Sequence, residues 1–374
     1  MPGVGFIRPS GGGGGSVSLA VSDTTPTTGD TITLTATATG FNATNYLFFR
    51  YDGVTIEEIV EQSGNTYNWI VDGAGTYDIY VQATDGTVNA YDKASVVATL
   101  ASILDTYTNA TAAYSLRLIR SAYTGDCIRV RRSSDNSEQD IGFVSKVIDT
   151  ASLLSFVGSG NGFITTWYDQ SGNGHDAVQS TLANQPIIVS DGRLLTVNGR
   201  PSLSFDGVND ELRATGIGSA GASDYAIFSV SRSYGLSGNS QCVMAFVPNF
   251  ATNGYSHIVY RNDLTNYLRV MHTSDGHLSD VVTLNPSLTY LVKLTLNSQF
   301  ASSTTLRYFK NDVLQNSTTI VQATFTNSDQ IWIGNYWFTG YNHEGEISEL
   351  IVYKSDQYPN ATAINQDIMN YYAI

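Results

Sequence analysis

The chain has 374 residues, a formal net charge of −14, and only 14% Asp, Glu, Lys and Arg. So acidic a chain lacks the basic surface that phosphate groups require, which argues against a nucleic-acid partner. No run of about 18 apolar residues occurs, so no membrane-spanning helix is predicted. The 34 glycines and 23 tyrosines, with few Lys or Glu, are typical of strands and turns and predict an all-β protein.

Residues 1–16 form a Gly-rich arm. Five successive glycines at 11–15 cannot bury apolar surface and make the backbone flexible. The arm lacks a basic stretch followed by an apolar one, so it does not read as a secretory signal. We expect Phe6 and Ile7 to dock into other proteins of a virion or surface assembly, ordering the arm there. A homo-oligomer is a further alternative.

Residues 17–100 predict an immunoglobulin-like sandwich. Residues 31–38, TITLTATA, alternate apolar and polar positions, as a half-buried strand does. Short strands separated by turn signals every 8–12 residues favour this fold. Residues 75–86, GTYDIYVQATDG, resemble the penultimate strand of immunoglobulin-like domains of the polycystic-kidney-disease type, which implies a spacer.

Residues 101–374 predict one large jelly-roll β-sandwich, because strand-like runs recur without a linker. Ala112, Leu116 and Ile119 recur at helical spacing, which predicts a short junction helix within 101–120. Ile364, Ile368 and Tyr372 predict an amphipathic C-terminal helix covering one edge of the sandwich. The two cysteines, Cys127 and Cys242, lie in apolar runs and are interpreted as buried free thiols.

Several segments carry family resemblances. FDGVNDEL at 205–212 and GEISELIVY at 345–353 resemble the opening and closing strands of laminin-G-like, concanavalin-type domains. AYSLRLIRSAYTG at 113–125, IRVRRSSDN at 128–136 and TTWYDQSGNGHDAV at 165–178 resemble the N-terminal half of the arabinofuranosidase B catalytic domain, a block also found in phage and bacterial surface proteins. The resemblance implies a concanavalin-type sandwich that acts on or binds glycans. The adjacent cysteines that accompany the catalytic carboxylates in those enzymes have no counterpart here, which favours binding over hydrolysis.

Carboxylates are the candidate catalytic groups, because a retaining glycosidase needs two carboxyls about 5 Å apart. Asp169 and Glu344 are the candidates singled out for catalysis. Asp169 and Gln170 lie in a Gly-rich turn and are also candidate ligand contacts, although an Asp in such a turn can simply bind its own backbone. The arginines at 129, 131 and 132, with Asp135 and Asp140, predict an Arg–Asp network around Asp169 or, alternatively, recognition of an acidic sugar.

A loop rich in aromatic residues lies between Gly334 and Gly345. Flat aromatic rings stack on sugar rings while nearby amides bind hydroxyls, so this loop is a candidate glycan platform, with core packing as the alternative. Its candidate ligand-binding residues are Tyr336, Trp337, Tyr341, Asn342 and His343.

Asp206, Asp210 and Glu211 offer closely spaced oxygens. They make a Ca²⁺ site conceivable, although an Asp-Gly turn explains the same pattern and no other cofactor is predicted. The five histidines form no HxH or HExxH motif, which argues against zinc.

These patterns predict a carbohydrate-binding or adhesion protein displayed on a virion or cell surface, such as a phage capsid decoration, head fibre or tail appendage, located on a virion or outside the cell. The alternatives are an arabinofuranosidase-like retaining glycosidase and a purely structural decoration protein.

Overall fold

The computed structural model describes residues 15–27, 30–51, 56–71, 75–98, 102–217, 225–234, 240–248, 256–261, 267–272, 277–279, 290–299, 303–311, 313–321, 328–335 and 342–374. The chain divides into two compact units, Met1–Ala101 and Ser102–Ile374. Both are built from strands, so the predicted all-β class is confirmed. No helix among the described residues is long and apolar enough to span a bilayer.

Among the residues described, the first unit contains seven antiparallel strands in two sheets. These strands are β1 (Ser16–Val21), β2 (Thr31–Thr39), β3 (Asn45–Tyr51), β4 (Ile56–Gln62), β5 (Thr66–Ile70), β6 (Gly75–Thr84) and β7 (Asn89–Ala98). One sheet has the order β1-β2-β5 and the other the order β4-β3-β6-β7. Alternate residues of β2 and β6, including Ile32, Leu34, Ile79 and Val81, are buried in one core. The immunoglobulin-like assignment stays a prediction, as does the role of residues 1–14, which lie outside the described residues.

The second unit contains the remaining elements. The helices are α1 (Ile103–Thr106), α2 (Thr150–Val157) and α3 (Ala361–Tyr372). The strands are β8 (Ala110–Ser115), β9 (Ile128–Arg132), β10 (Glu138–Ile141), β11 (Phe143–Val144), β12 (Val147–Ile148), β13 (Gly162–Trp167), β14 (Ala177–Val178), β15 (Ile187–Ser190), β16 (Arg193–Leu194), β17 (Thr196–Val197), β18 (Arg200–Pro201), β19 (Leu203–Asp206), β20 (Leu212–Thr215), β21 (Tyr225–Ser233), β22 (Ser240–Pro248), β23 (Ser256–Arg261), β24 (Tyr267–His272), β25 (His277–Ser279), β26 (Tyr290–Gln299), β27 (Ser303–Lys310), β28 (Val313–Val321), β29 (Ser328–Ile333) and β30 (Glu344–Tyr353).

Strand β30 is the centre of one layer of this sandwich. It pairs with β21 on one side, and on the other side with β19 near its start and β8 near its end. The layer continues from β21 through β26, β27 and β28. The facing layer includes β9, β13, β14, β20, β29 and β22. The main core buries Tyr114, Trp167, Leu350 and Val352.

The C-terminal helix α3 covers a face of the sandwich. Because successive residues of a strand point to opposite faces, Ile351 and Tyr353 of β30 point away from the main core. Ile364, Ile368 and Tyr372 of α3 pack against them in a second core. The predicted helix is confirmed, but it lies on the outer face of the sheet and not along an edge.

The predicted junction helix is wrong in its position. Ala112 lies in strand β8, and helix α1 is a single turn that ends before this strand begins. Strand β8 pairs with β30, and almost every side chain along it is buried. A strand buried on both faces has apolar residues at most positions. Some of these residues are therefore three or four positions apart, which is the spacing that predicts a helix. Cys127 and Cys242 are both buried free thiols.

Candidate functional site

Asp206, Asp210 and Glu344 lie where β19 and β30 pair, and we call these three residues the carboxylate cluster. Asp206 at the end of β19 lies directly opposite Glu344 at the start of β30. Residues in such a pair have Cβ atoms about 5 Å apart. Gly207, with φ of 75°, turns the chain tightly here, since a Cβ on it would lie 2.8 Å from the Glu344 Cβ. The backbone therefore holds the turn close against the Glu344 side chain.

The turn that follows Asp206 gives the two aspartates different environments. Asp206 is exposed, and its Oδ1 accepts backbone N–H bonds from Val208 and Asn209 at 2.8 and 3.2 Å. Asp210 is buried, and its Oδ2 accepts a 2.9 Å bond from the backbone N–H of Asp206. Burial, together with the charge of Asp206, raises the pKa of Asp210 to about 7. Asp210 therefore retains a proton in slightly acidic solution while ordinary aspartates are ionised.

Glu344 is half-buried, and its carboxylate accepts no hydrogen bond from the described residues. The backbone N–H of Glu344 donates to Gln241 Oε1 at 3.2 Å, and its carbonyl accepts from the N–H of Tyr234 at 2.8 Å. Main-chain contacts thus position Glu344 while its charged group stays available.

Three buried glutamates of this unit are held by arginines. Glu346 pairs with Arg232 at 3.0 Å. Glu211 lies 2.5 Å from Arg213, and Glu349 lies 2.9 Å from Arg117. Each of these three carboxylates is neutralised in an ion pair. The carboxyl groups of the carboxylate cluster are therefore better suited to act as an acid or a nucleophile.

The conceivable Ca²⁺ site at Asp206, Asp210 and Glu211 finds no support in the geometry. The aspartate oxygens bind backbone N–H groups of their own turn, and Glu211 Oε2 accepts a 3.1 Å bond from Asn335. Within the described residues, no group of three or more His, Cys, Asp or Glu side chains could hold a metal ion.

Asp169 and Gln170 support the fold of their loop. Asp169 is 3% exposed and accepts bonds from the backbone N–H groups of Ala113, Ser171 and His175 at 2.8, 2.9 and 3.0 Å. The Ser171 hydroxyl adds a fourth bond at 2.7 Å. Gln170 is fully buried and binds three backbone groups of residues 115–119. Neither side chain is available to a ligand in this arrangement, in contrast to the contact expected from sequence.

The predicted Arg–Asp network is present beside this loop. Arg129 binds Asp140 at 2.6 Å, and the Tyr168 hydroxyl donates to the same carboxylate at 2.6 Å. Arg132 binds Asp135 at 2.6 Å. Arg129 and Arg132 therefore have acidic partners, whereas Arg131 donates to Gln185 and Asn136 at 2.8 and 2.7 Å.

The loop rich in aromatic residues is described only at its end. Tyr336, Trp337, Phe338 and Tyr341 lie outside the described residues, so their roles stay predictions. Asn342 is half-buried beside Glu344 and also stays a candidate ligand contact.

His343 is a core residue. It is fully buried, and its ring meets Phe205 edge-on at 5.9 Å between centroids. Burial lowers the pKa of His343 to about 4, so the imidazole is neutral. The ligand contact predicted for His343 is incompatible with this burial.

A polar cavity of about 520 Å³ lies beside the loop that follows Asp169. Arg120, Ser171, Asn173 and His175 line it, and none of them was predicted from the sequence as a site residue. Gly172, with φ of 90°, carries the chain past the Arg120 guanidinium, where a Cβ would collide. The glycines at 172 and 174, which adopt positive φ, are the sequence signal in this loop that could have indicated a tightly turned surface.

Comparisons with known proteins found one matching family model and solved structures with a similar fold. Residues 103–191 match the family described as "Alpha-L-arabinofuranosidase B, catalytic". A mutant of a GH54 α-L-arabinofuranosidase soaked with 4-nitrophenyl α-L-arabinofuranoside aligns with a TM-score of 0.54 at 16% identity, covering 72% of this chain and 64% of the other. An arabinofuranosidase complexed with arabinofuranosyl-α-1,2-xylobiose aligns with a TM-score of 0.51 at 17% identity, covering 71% and 64%. No curated protein matches the sequence.

The second unit is therefore an arabinofuranosidase-like β-sandwich. The chain spans less than two thirds of the length of these solved structures. The prediction of a surface-displayed adhesion protein, above all a phage structural component, is wrong. The family match and the two solved structures named above are arabinofuranosidases, which agrees with the alternative of an arabinofuranosidase-like enzyme.

Proposed function

We propose that this chain is an arabinofuranosidase-like glycoside hydrolase that uses the carboxylate cluster. The observation that carries the proposal is the pairing of Asp206 with Glu344 at one end of the sandwich, beside a buried Asp210 whose pKa is about 7. A proton-holding carboxyl beside an ionised one is the arrangement that glycoside hydrolysis needs. The match to the arabinofuranosidase B catalytic family supports the same reaction class.

The roles follow from the two environments. Asp210 is the general acid that protonates the departing glycosidic oxygen, because it still holds its proton near neutral pH. Glu344 is the nucleophile, because its carboxylate accepts no hydrogen bond from the described residues. Asp206 is a positioning residue whose charge helps to keep Asp210 protonated.

The stereochemistry of the reaction follows from the role proposed for Glu344. Glu344 lies opposite Asp206, and Asp210 binds the backbone N–H of that same Asp206. A carboxylate that acts as nucleophile attacks the sugar directly, as in glycosidases whose two carboxyls lie about 5 Å apart. We therefore expect retention of configuration through a covalent glycosyl-enzyme intermediate.

The substrate class follows from the neighbours. One was soaked with 4-nitrophenyl α-L-arabinofuranoside and another was complexed with arabinofuranosyl-α-1,2-xylobiose. We infer that this chain acts on terminal arabinofuranosyl groups of a glycan. An extracellular location fits this substrate, because polymeric glycans do not cross membranes unaided.

The test is hydrolysis of 4-nitrophenyl α-L-arabinofuranoside by the full chain and by Glu344→Gln. Hydrolysis by the unaltered chain, with loss to the background rate in Glu344→Gln, is the expected result. Asp191→Asn is the matched control, because Asp191 is exposed with φ of 48°, a conformation that Asn adopts readily. Hydrolysis that survives in Glu344→Gln, or is absent from the unaltered chain on arabinofuranosides and other aryl glycosides, overturns the proposal.

A further inference from the structure

The polar cavity lies far from the carboxylate cluster. Strand β30 has ten residues, so its two ends are about 30 Å apart. Glu344 begins the strand, whereas Tyr353 ends it and pairs with Ala110, which lines the cavity. The cavity is thus a separate site, of a size that suits small-molecule ligands.

Arg120 gives the cavity an oriented cationic group. Its Nη1 donates to the carbonyl of Ser171, which fixes the plane of the guanidinium against the loop. The Nε and Nη2 donors have no partner among the described residues, and Arg120 is only half-buried. These two donors form the side of the fork that binds a carboxylate through two parallel bonds.

Two neighbours of Arg120 supply acceptors. The Asn173 side-chain nitrogen donates to the carbonyls of Ala110 and Thr111, both at 2.9 Å, which leaves its Oδ1 to accept a hydroxyl. His175 Nδ1 lies 3.1 Å from the carbonyl of Thr215 and so carries the proton, leaving Nε2 as a second acceptor. The ligand that matches Arg120, Asn173 and His175 is a small molecule that carries both a carboxylate and hydroxyl groups.

The cavity carries a positive charge, whereas the chain as a whole is negatively charged. The formal net charge is −14, yet none of the described residues that line the cavity is acidic. Asp169 lies behind the loop, where four donors surround its buried carboxylate. An anionic group is therefore attracted here and repelled by most of the rest of the surface.

We propose that this cavity binds an acidic sugar of the hexuronate class, with its carboxylate on Arg120 and its hydroxyls on Asn173 and His175. The site is independent of the proposed hydrolysis. It gives the chain a second point of contact with a glycan that carries uronate groups.

Calorimetric titration of the full chain with D-glucuronate, D-glucose and inorganic phosphate tests this site. We expect glucuronate to bind at least about tenfold more tightly than either of the others, because glucose lacks the carboxylate and phosphate lacks the sugar hydroxyls. Arg120→Gln should weaken glucuronate binding about tenfold or more, and Arg120→Lys by less, because Lys keeps the charge without the fork. Arg193→Gln removes the same charge from an exposed position outside the cavity and should leave binding unchanged.

Two further readouts keep the test decisive. In the unaltered chain, glucuronate should slow amide hydrogen exchange of residues 169–176, a result that does not depend on any variant folding. Arg120→Gln should hydrolyse the aryl arabinofuranoside normally, so failure of this site is distinguishable from failure of the proposed enzyme. Equal binding of glucuronate and glucose, equal binding of glucuronate and phosphate, unchanged affinity in folded Arg120→Gln, or unaltered exchange of the loop would each overturn the proposal.

Discussion

Burial and local hydrogen-bond donors together decide the role of individual carboxyl groups in this protein. Asp206 and Asp210 belong to one short turn, yet one is exposed and the other is 6% exposed. Water stabilises an ionised carboxylate, so the buried group holds its proton to higher pH. Asp169 is equally buried, but four hydrogen-bond donors surround its oxygens, and it serves the fold. The local donors, and not burial alone, separate a candidate acid from a structural carboxylate.

The pH dependence of hydrolysis follows from Asp210. A general acid must be protonated, so kcat/KM should fall as the pH rises through about 7. Asp210→Asn should lower the rate about 100-fold or more on substrates with a sugar leaving group. The loss should be smaller on 4-nitrophenyl arabinofuranoside, whose leaving group is stable as an anion. A rate that stays constant from pH 5 to pH 9, measured against Asp191→Asn as the control, contradicts this role.

The stability of the second unit depends on Asp169. In Asp169→Asn one oxygen becomes an NH₂ group, so donors that now bind a carboxylate lose their acceptor. Buried donors left without partners cost about 1–3 kcal/mol each, and we expect the free energy of unfolding to fall by about 2–4 kcal/mol. Urea unfolding followed by the fluorescence of the buried Trp167 measures the change. Asp191→Asn should stay within about 0.5 kcal/mol of the unaltered chain, and an equally small effect for Asp169→Asn would refute the structural role.

At the scale of elements, the spacing of apolar residues correctly predicted strands and helices that bury one face. The alternation in β2 and the spacing of Ile364, Ile368 and Tyr372 in α3 both matched the structure, because each element buries one face. The same spacing wrongly predicted a helix at β8. A strand buried on both faces has no polar side, so its apolar residues do not show the two-residue period of a strand. The pairing of Asp206 with Glu344 joins residues far apart in sequence, and no local pattern encodes such a register.

The α3 helix contributes to stability through the face it covers. Ile368 is fully buried in the core between α3 and β30, whereas Asn370 on the same helix is exposed. Ile368→Ala should lower the free energy of unfolding by about 2–5 kcal/mol, through lost burial and the cavity left behind. Asn370→Ala, a control at a neighbouring position, should change it by about 0.5 kcal/mol or less. Equal urea midpoints for the two variants would show that α3 is dispensable.

At the scale of the whole molecule, each unit has its own core. Strands β1–β7 form their sheets among themselves, and the second unit has two buried clusters of its own. The carboxylate cluster, the polar cavity and the segment matching the arabinofuranosidase family all belong to Ser102–Ile374. The residues to which we assign chemistry therefore share one folding unit.

This division predicts that Ser102–Ile374 alone is an active enzyme. The described residues of its two buried clusters all belong to this unit, so the fragment should fold with a strand-dominated circular dichroism spectrum. Because Asp206, Asp210 and Glu344 keep all their described partners, kcat/KM on 4-nitrophenyl α-L-arabinofuranoside should match that of the full chain. The fragment carrying Glu344→Gln is the control for contaminating activity. A fragment that folds but has lost hydrolysis would show that Met1–Ala101 takes part in the reaction.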